Sequence, residues 1–246
     1  MTLLVRTWNL FHGRTVPEGR RLELERMVKL VTADRPALVG LQELPAWALP
    51  RLDRWSGMRI AGAVAMPPLG GPLALKVTEL HPRWFRSALV GQANALLFGA
   101  EVEPLGRPRV VRLNPAFHRR SVPTSLGVRF HWLWNRRVAQ IVPVRVGDER
   151  LTVVNLHASK HPDLANAELD RLAELLPEGP AVVVGDFNVR GRGLRGFSPA
   201  IPGIDQILVR GLEVASLPAP WPDERRRHGE TLLSDHAPVE ARVAVR

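Results

Sequence analysis

The sequence predicts an α/β domain in which sheets pack inside helices. Three observations carry this. Apolar runs of strand length recur at Leu3–Trp8, Ala37–Gln42, Ala93–Gly99, Val138–Val146, Leu151–His157, Ala181–Gly185, Ile204–Val209 and Pro238–Val245. Only two long segments carry helical spacing, with long loops between elements. Strands and helices also fail to alternate one to one, as a parallel doubly wound sheet would require. At 246 residues, a single domain spanning 1–246 is expected. No repeat or low-complexity linker divides it.

Taken in order, Leu3–Trp8 opens the chain as a strand. Glu18–Ala33 reads as a helix behind Pro17, with Leu22, Met27, Leu30 and Val31 as its apolar stripe. Ala37–Gln42 suits a buried strand and Pro45–Trp55 a short helix. Ile60–Leu75 and Ser87–Ala100 are free of charge, but both fall short of the roughly 20 residues of a membrane-spanning helix. The first is also broken by Pro67, Pro68, Gly70, Gly71 and Pro72. Pro162–Leu176 is the second good helix, with Leu164, Leu169, Leu172, Leu175 and Leu176 on one side. The N-terminal apolar run is short for a signal peptide and no small-residue cleavage site follows. A soluble, cytoplasmic protein is therefore expected.

Composition removes several chemistries. With no cysteine, disulfides, thiolate zinc sites and a cysteine nucleophile are excluded. With no tyrosine, a phenol cannot serve as acid or phosphate donor. The formal net charge of +10 raises an anionic partner. Of 34 basic residues only Lys29, Lys76 and Lys160 are lysines, so an Arg-coated soluble surface is an equally good account of the charge.

The strand ends are the informative places. Ala181-Val-Val-Val184 runs into Gly185-Asp186-Phe187-Asn188. In extended geometry Asp186 and Asn188 point to one side, although for this stretch alone an Asx-turn closing the strand is the favoured reading. Asn155 and His157 share one face of their strand. Ser234-Asp235-His236 opens the last strand. Asp205 lies among apolar residues and so needs a partner; His236 is a natural one. Asn9 ends the first strand, and Gln42-Glu43 the next apolar run. Each is ordinary alone. Together they gather oxygen and imidazole ligands at strand edges, a hard donor set suited to Mg²⁺ or Mn²⁺.

In this order the motifs resemble the endonuclease/exonuclease/phosphatase superfamily. They are Trp-Asn at 8–9, Gln-Glu at 42–43, Gly-Gln-Ala-Asn-Ala-Leu-Leu at 91–97, Asn-Leu-His at 155–157, Gly-Asp-Phe-Asn at 185–188, Ile-Asp at 204–205 and Ser-Asp-His at 234–236. The resemblance implies a four-layer α-β-β-α sandwich of two mostly antiparallel sheets, and hydrolysis of a phosphoester with Mg²⁺, or Mn²⁺ in its place. It implies Glu43 as principal metal ligand, with Asn9 beside it and Asp235 contributing. It implies that Asp186 orients and deprotonates water, and that Asn188 holds the water or a phosphate oxygen. His157 and His236 would donate to phosphoryl oxygens, with Asp205 orienting His236. The absence of tyrosine argues against the abasic-site branch of the family. A His at 157 is closer to the deoxyribonuclease, sphingomyelinase and inositol-polyphosphatase branch. In that branch a Glu supports the His; here the same stretch offers Gln92 and Asn94 but no acid, and Asn94 is taken as its neighbour and as a substrate contact.

For the substrate, residues 104–147 hold nine Arg and no acid, interleaved with His118, His131, Trp132 and Trp134. Arg with aromatics suits a phosphate backbone with stacked bases, which makes Arg119, Arg120, Arg136 and Arg137 the expected substrate contacts and nucleic acid the expected partner. Arg225-Arg226-Arg227, after the Pro-rich Leu217–Pro222 loop, would add a second basic rim. The competing reading is a phospholipid surface or inositol phosphate, from the uncharged Ala61–Leu75 loop followed by Trp84-Phe85. A binding module without catalysis is the third. No obligate protein partner is inferred.

Overall fold

The computed structural model describes residues 1–19, 21–68, 90–114 and 136–245. In chain order it contains β1 (Thr2–Asn9), β2 (Thr15–Val16), α1 (Leu24–Thr32), β3 (Leu38–Leu44), α2 (Leu52–Ser56), β4 (Arg59–Met66), β5 (Gln92–Phe98), β6 (Glu103–Pro104), β7 (Arg109–Arg112), β8 (Val138–Val146), β9 (Glu149–His157), α3 (Pro162–Leu175), β10 (Ala181–Asp186), β11 (Asp205–Arg210), β12 (Glu213–Pro220), β13 (Arg227–His228), β14 (Thr231–Leu233) and β15 (Val239–Ala244).

Two sheets form. The first runs β12-β15-β1-β3-β5-β4; the second runs β11-β10-β9-β8-β6, with β7 also on β8. Each is antiparallel apart from one parallel pair, β1/β3 in the first and β9/β10 in the second. Alternation along the strands sorts side chains into layers. Leu3, Val5, Leu38, Leu96 and Phe98 meet Val142, Val144, Val153, Val182, Val184 and Ile207 between the sheets. Outside the first sheet, Val39, Leu41, Ala95 and Leu97 pack on Met27, Val28, Val31 of α1 and Leu52, Trp55 of α2. Outside the second, Ile141, Val154, Val183 and Leu208 pack on Ala165, Leu169 and Leu172 of α3. The layers are thus α-β-β-α, as the resemblance implies.

Gly40 lets the sheets close on each other: a Cβ there would stand 2.4 Å from the Val184 side chain. Just beyond it, buried amides cross the gap. Gln42 donates to Asn155 Oδ1 at 2.7 Å and to Thr7 Oγ1 at 3.0 Å, while Asn155 donates to the carbonyls of Leu41 and Ala95 and to Gln140 Oε1. Asn155 therefore fastens sheet to sheet.

Several elements differ from expectation. The first helix starts at Leu24, not Glu18, because Thr15 Oγ1 accepts from Gly19 N–H and Gly13 O accepts from Glu23 N–H, which holds the chain in a turn first. Arg59–Met66 alternates and forms a strand where the sequence suggested an apolar loop; residues 69–75 lie outside the described residues, as do Trp84 and Phe85. Most of the Pro-rich 217–222 segment belongs to β12, where Pro218 and Pro220 are tolerated because β12 is an edge strand. The expected basic rim at 225–227 is largely spent on structure. Arg226 is buried, paired with Asp223 and donating to the Leu233 and Ser234 carbonyls, and Arg225 stacks on Trp221 at 3.5 Å. No helix among the described residues is long and apolar enough to cross a membrane.

Candidate active site

Strand direction gathers the polar residues at one edge. The parallel pairs β1/β3 and β9/β10 end there, at Asn9 beside Gln42 and at His157 beside Asp186. Their antiparallel neighbours begin there: β11 at Asp205 opposite Asp186, β5 at Gln92, β8 just after Arg137. Residues far apart in sequence so converge between the two sheets.

Asp186 is buried at the centre. It accepts from Asn9 Nδ2 at 2.9 Å and from Asn188 N–H at 2.9 Å. Gly185 makes this possible, with φ of 148° and its α-carbon so close to β9 that a Cβ would lie 2.1 Å from the Leu156 carbonyl. Asn188 is not extended. It has φ of 53° and donates its amide to Ala158 O at 3.0 Å. The extended geometry expected through Asn188 therefore does not form: an Asx-turn closes the strand at Asp186, and it presents the carboxylate.

Asp205 accepts from His236 Nδ1 at 2.8 Å, and His236 Nε2 looks back at Asp186 Oδ2 from 4.0 Å. The 234–236 segment precedes β15 as a turn, with Ser234 at φ 67° and bonded to Asn9 O, so Asp235 is exposed beside His236 at 3.9 Å.

Glu43 breaks the strand period. Gln42 already points inward, so regular alternation would send Glu43 outward. A register shift after Leu41 and a φ of 52° turn it to the same edge. Its two oxygens face different imidazoles, His157 Nε2 at 3.6 Å and His12 Nε2 at 3.5 Å. His157 also lies 3.6 Å from Asp186. Its Nδ1 contacts Gln92 Nε2 at 2.9 Å, and Arg137 Nη1 stands 3.1 Å and 3.3 Å from its two ring nitrogens. Asn94, the expected neighbour, sits one inward position deeper on β5 and reaches Val138 O at 3.5 Å; Gln92 occupies the rim. Arg137 is buried, and among the described residues no carboxylate pairs with it. Its Nε–H has no acceptor. Arg136 is exposed. Arg119 and Arg120 lie outside the described residues.

Burial and the charge of Asp205 raise Asp186 to about 7. Burial opposes charging of His236, but the Asp205 hydrogen bond and charge, with Asp186 behind it, raise it to about 9. Burial and Arg137 push His157 well below its usual range, so it is neutral at neutral pH. Burial also lowers His12, with Arg14, Lys160 and Arg137 acting in the same direction against Glu43. Burial alone would raise Glu43, but the facing imidazoles, Lys160 and Arg137 hold it at about 2.

The donor set fits a divalent cation. Glu43 is ionised and faces the His12 and His157 imidazoles, with Asp186 also facing His157; among the described residues Asp205 Oδ1 is buried without a partner. Asp186, Asp205 and His236 also place one ligand atom each within 4.8 Å of one another. Three residues near the site were not assigned from sequence: His12, Lys160 and the rim position of Gln92. His12 carried one signal, three residues after Asn9 and just before Gly13.

The chain belongs to the endonuclease/exonuclease/phosphatase family, whose model matches residues 7–236. Members of this family are generally phosphoester hydrolases that use divalent metals. Among solved structures it is similar to a functionally unknown conserved protein from Enterococcus faecalis V583, at 16% identity and TM-score 0.72, over 99% of this chain and 100% of that one. It is similar to an endonuclease/exonuclease/phosphatase from Beutenbergia cavernae, at 16% identity and TM-score 0.70, over 99% of this chain and 72% of that one. TDP2 from Caenorhabditis elegans matches at 15% identity and TM-score 0.63, over 100% of this chain and 76% of that one. No curated protein matches the chain.

Proposed function

We propose that residues 1–246 form one catalytic domain that hydrolyses phosphodiesters with a divalent cation, Mg²⁺ or Mn²⁺, and that its substrate is nucleic acid. The observation that carries this reading is Arg137. A buried guanidinium without a carboxylate is costly unless an anion completes it. Here it contacts His157, which in turn faces Glu43 and Asp186, and a phosphoryl group is the anion these residues can process.

Glu43 holds the cation, with Asn9 beside it and Asp235 at the exposed margin. When bound, the cation polarises the phosphoryl group and neutralises its charge. Asp186, aimed by Asn9 and Asn188, orients water and takes its proton. Asn188 fixes the water or a phosphate oxygen. His236, kept protonated by Asp205, donates to a phosphoryl oxygen. The sequence reading gave His157 the same cationic role. The geometry supports a different division, in which Arg137 carries the permanent charge and His157 acts as a neutral donor braced by Gln92. Arg136, and the expected contacts Arg119 and Arg120, would extend the cationic surface along a nucleic-acid backbone; the cytoplasm is the compartment expected for such a substrate.

The test is a panel with Mg²⁺ or Mn²⁺: plasmid DNA, single-stranded DNA, RNA, sphingomyelin, inositol phosphates and a generic bis-phosphodiester. Cleavage of DNA or RNA is expected; cleavage of lipid alone would sink the nucleic-acid reading. Arg137→Ala should cost about 10²-fold or more in kcat/KM and abolish inhibition by inorganic phosphate. Unchanged phosphate inhibition would remove Arg137 from the site.

A further inference from the structure

His12 is the one imidazole at this edge that the reading above leaves without a task. Its Nε2 faces Glu43 Oε2 at 3.5 Å, too far for a good hydrogen bond. Its Nδ1 is buried with no partner. A histidine kept only for packing would normally bond at least one nitrogen when buried. The backbone is also arranged around this ring. Phe11, His12 and Gly13 have φ of 47°, 55° and 85°, three consecutive left-handed residues. Non-glycine residues adopt this region at a cost, and such strain gathers where function requires it. Asn9 Oδ1 pins the turn by accepting Phe11 N–H at 3.0 Å, and Leu10 O accepts Gly13 N–H at 2.7 Å. Across the gap, Glu43 is left-handed as well. Two strained positions therefore aim an imidazole and a carboxylate at one point.

We propose that His12 is a nitrogen ligand to the cation held at Glu43, and that it makes the site select Mn²⁺ over Mg²⁺. The proposal rests on the reading of Glu43 as a cation ligand. Two neighbouring donors on an ion with bonds of ~2.1 Å stand about 3.0–3.4 Å apart, close to the spacing seen. Burial and the surrounding cations keep His12 neutral, so a lone pair is free. His157 is not equivalent, because Gln92 and Arg137 occupy its ring nitrogens. Mg²⁺ favours oxygen donors and retains water, whereas imidazole suits transition cations. An imidazole beside Glu43 therefore adds affinity for Mn²⁺ that Mg²⁺ does not gain.

The test is direct binding to the full chain after removal of metal with a chelator. Mn²⁺ and Mg²⁺ are titrated by calorimetry, and bound Mn²⁺ is examined by electron spin-echo spectroscopy for imidazole nitrogen coupling. The native chain is expected to bind Mn²⁺ at least about tenfold more tightly than Mg²⁺ and to show the coupling. Asn tolerates φ near 55°, so His12→Asn should preserve the fold. It is expected to remove the coupling, weaken Mn²⁺ about tenfold or more, and leave Mg²⁺ within about twofold. If its melting temperature falls, His12→Gly carries the same comparison. Native coupling and Mn²⁺ affinity in these variants would overturn the proposal. Glu43→Gln separates the two levels: loss of both cations there upholds the site, whereas native binding of both in Glu43→Gln would overturn the site reading itself.

Discussion

At Asp186 the fold holds a carboxyl where ionising it is unfavourable, since burial and Asp205 raise it to about 7. The sign follows from linkage. A raised carboxyl favours the fold below its unfolded value near 3.9, and that contribution is lost as pH rises to about 7. Asp186→Asn keeps one of the two acceptor oxygens, enough for the Asn188 N–H but not also for Asn9 Nδ2, and escapes the ionisation loss. The variant is expected to be more stable than the native chain by a few kcal/mol at pH 8, order of magnitude only, and by much less at pH 4. Thermal melts at both values check this; an advantage that shrinks as pH rises would refute the environment assigned to Asp186. The same variant should lose about 10³-fold or more in turnover. His236 gives the opposite limb. Activity that needs its imidazolium is lost as pH rises through about 9. Asp205→Asn should move that limb down towards the ordinary histidine value near 6.5, read from kcat/KM against pH. An unmoved limb would assign it to another group.

The elements set how precisely these groups are held. Residues 158–161 leave β9 beside the site, and α3 reaches across to fix them. Glu168, fully buried on α3, accepts from Ser159 N–H at 2.7 Å and Ser159 Oγ at 2.6 Å. Lys160, whose charge bears on Glu43 and both buried histidines, follows directly. Glu168→Ala leaves two donors unsatisfied and is expected to destabilise by about 2–4 kcal/mol, with loss of catalytic efficiency beyond that in the stability-matched control Leu169→Ala. Urea unfolding and kcat/KM for both variants check it. Equal efficiency in the two would make Glu168 a packing residue only. The sequence alone placed α3 well, because its leucines repeat at helical spacing. It did not place α1's start, because the turn at 13–23 is made by side-chain and carbonyl bonds that carry no periodic signal. It missed β4, whose small Ala and Gly residues resemble a loop in composition yet alternate in burial.

At the scale of the whole molecule, the proposed catalysis depends on two sheets keeping one register. Glu43 comes from the first sheet, whereas His157, Asp186 and Asp205 come from the second. The Gln42–Asn155–Gln140 amides, at the floor of the site, join the sheets where an apolar contact could slide. Asn155→Leu strands the Leu41 and Ala95 carbonyls and the amides of Gln42 and Gln140. It is expected to cost about 3 kcal/mol or more and to lower kcat more than KM is raised, as Glu43 and Asp186 drift apart. A midpoint shift in urea with native kcat would leave the network structural and nothing more. Much of the arginine excess also serves the whole molecule: Arg6 pairs with Asp34 and Glu240, and Arg59 and Arg210 bond backbone carbonyls. Net charge therefore overstates the surface available to an anion.

What the sequence determined by itself is which polar side chains stand at the strand ends. Asp186, His157, Asp205 and Asn9 were legible because alternation fixes which face a strand residue takes, and an apolar run that stops at Asp or His marks a rim. The order of those ends was enough to place the chain in its family. What only the tertiary structure decided is how the ends meet. Glu43 reaches the site through a bulge that breaks alternation. Arg137 is a candidate anion site because among the described residues no carboxylate pairs with it, and Gln92 rather than Asn94 contacts His157 because it stands nearer the rim. His12 turns inward on three left-handed residues. These are facts about partners and strain, and partners across two sheets are set by packing, which no local pattern in the chain encodes.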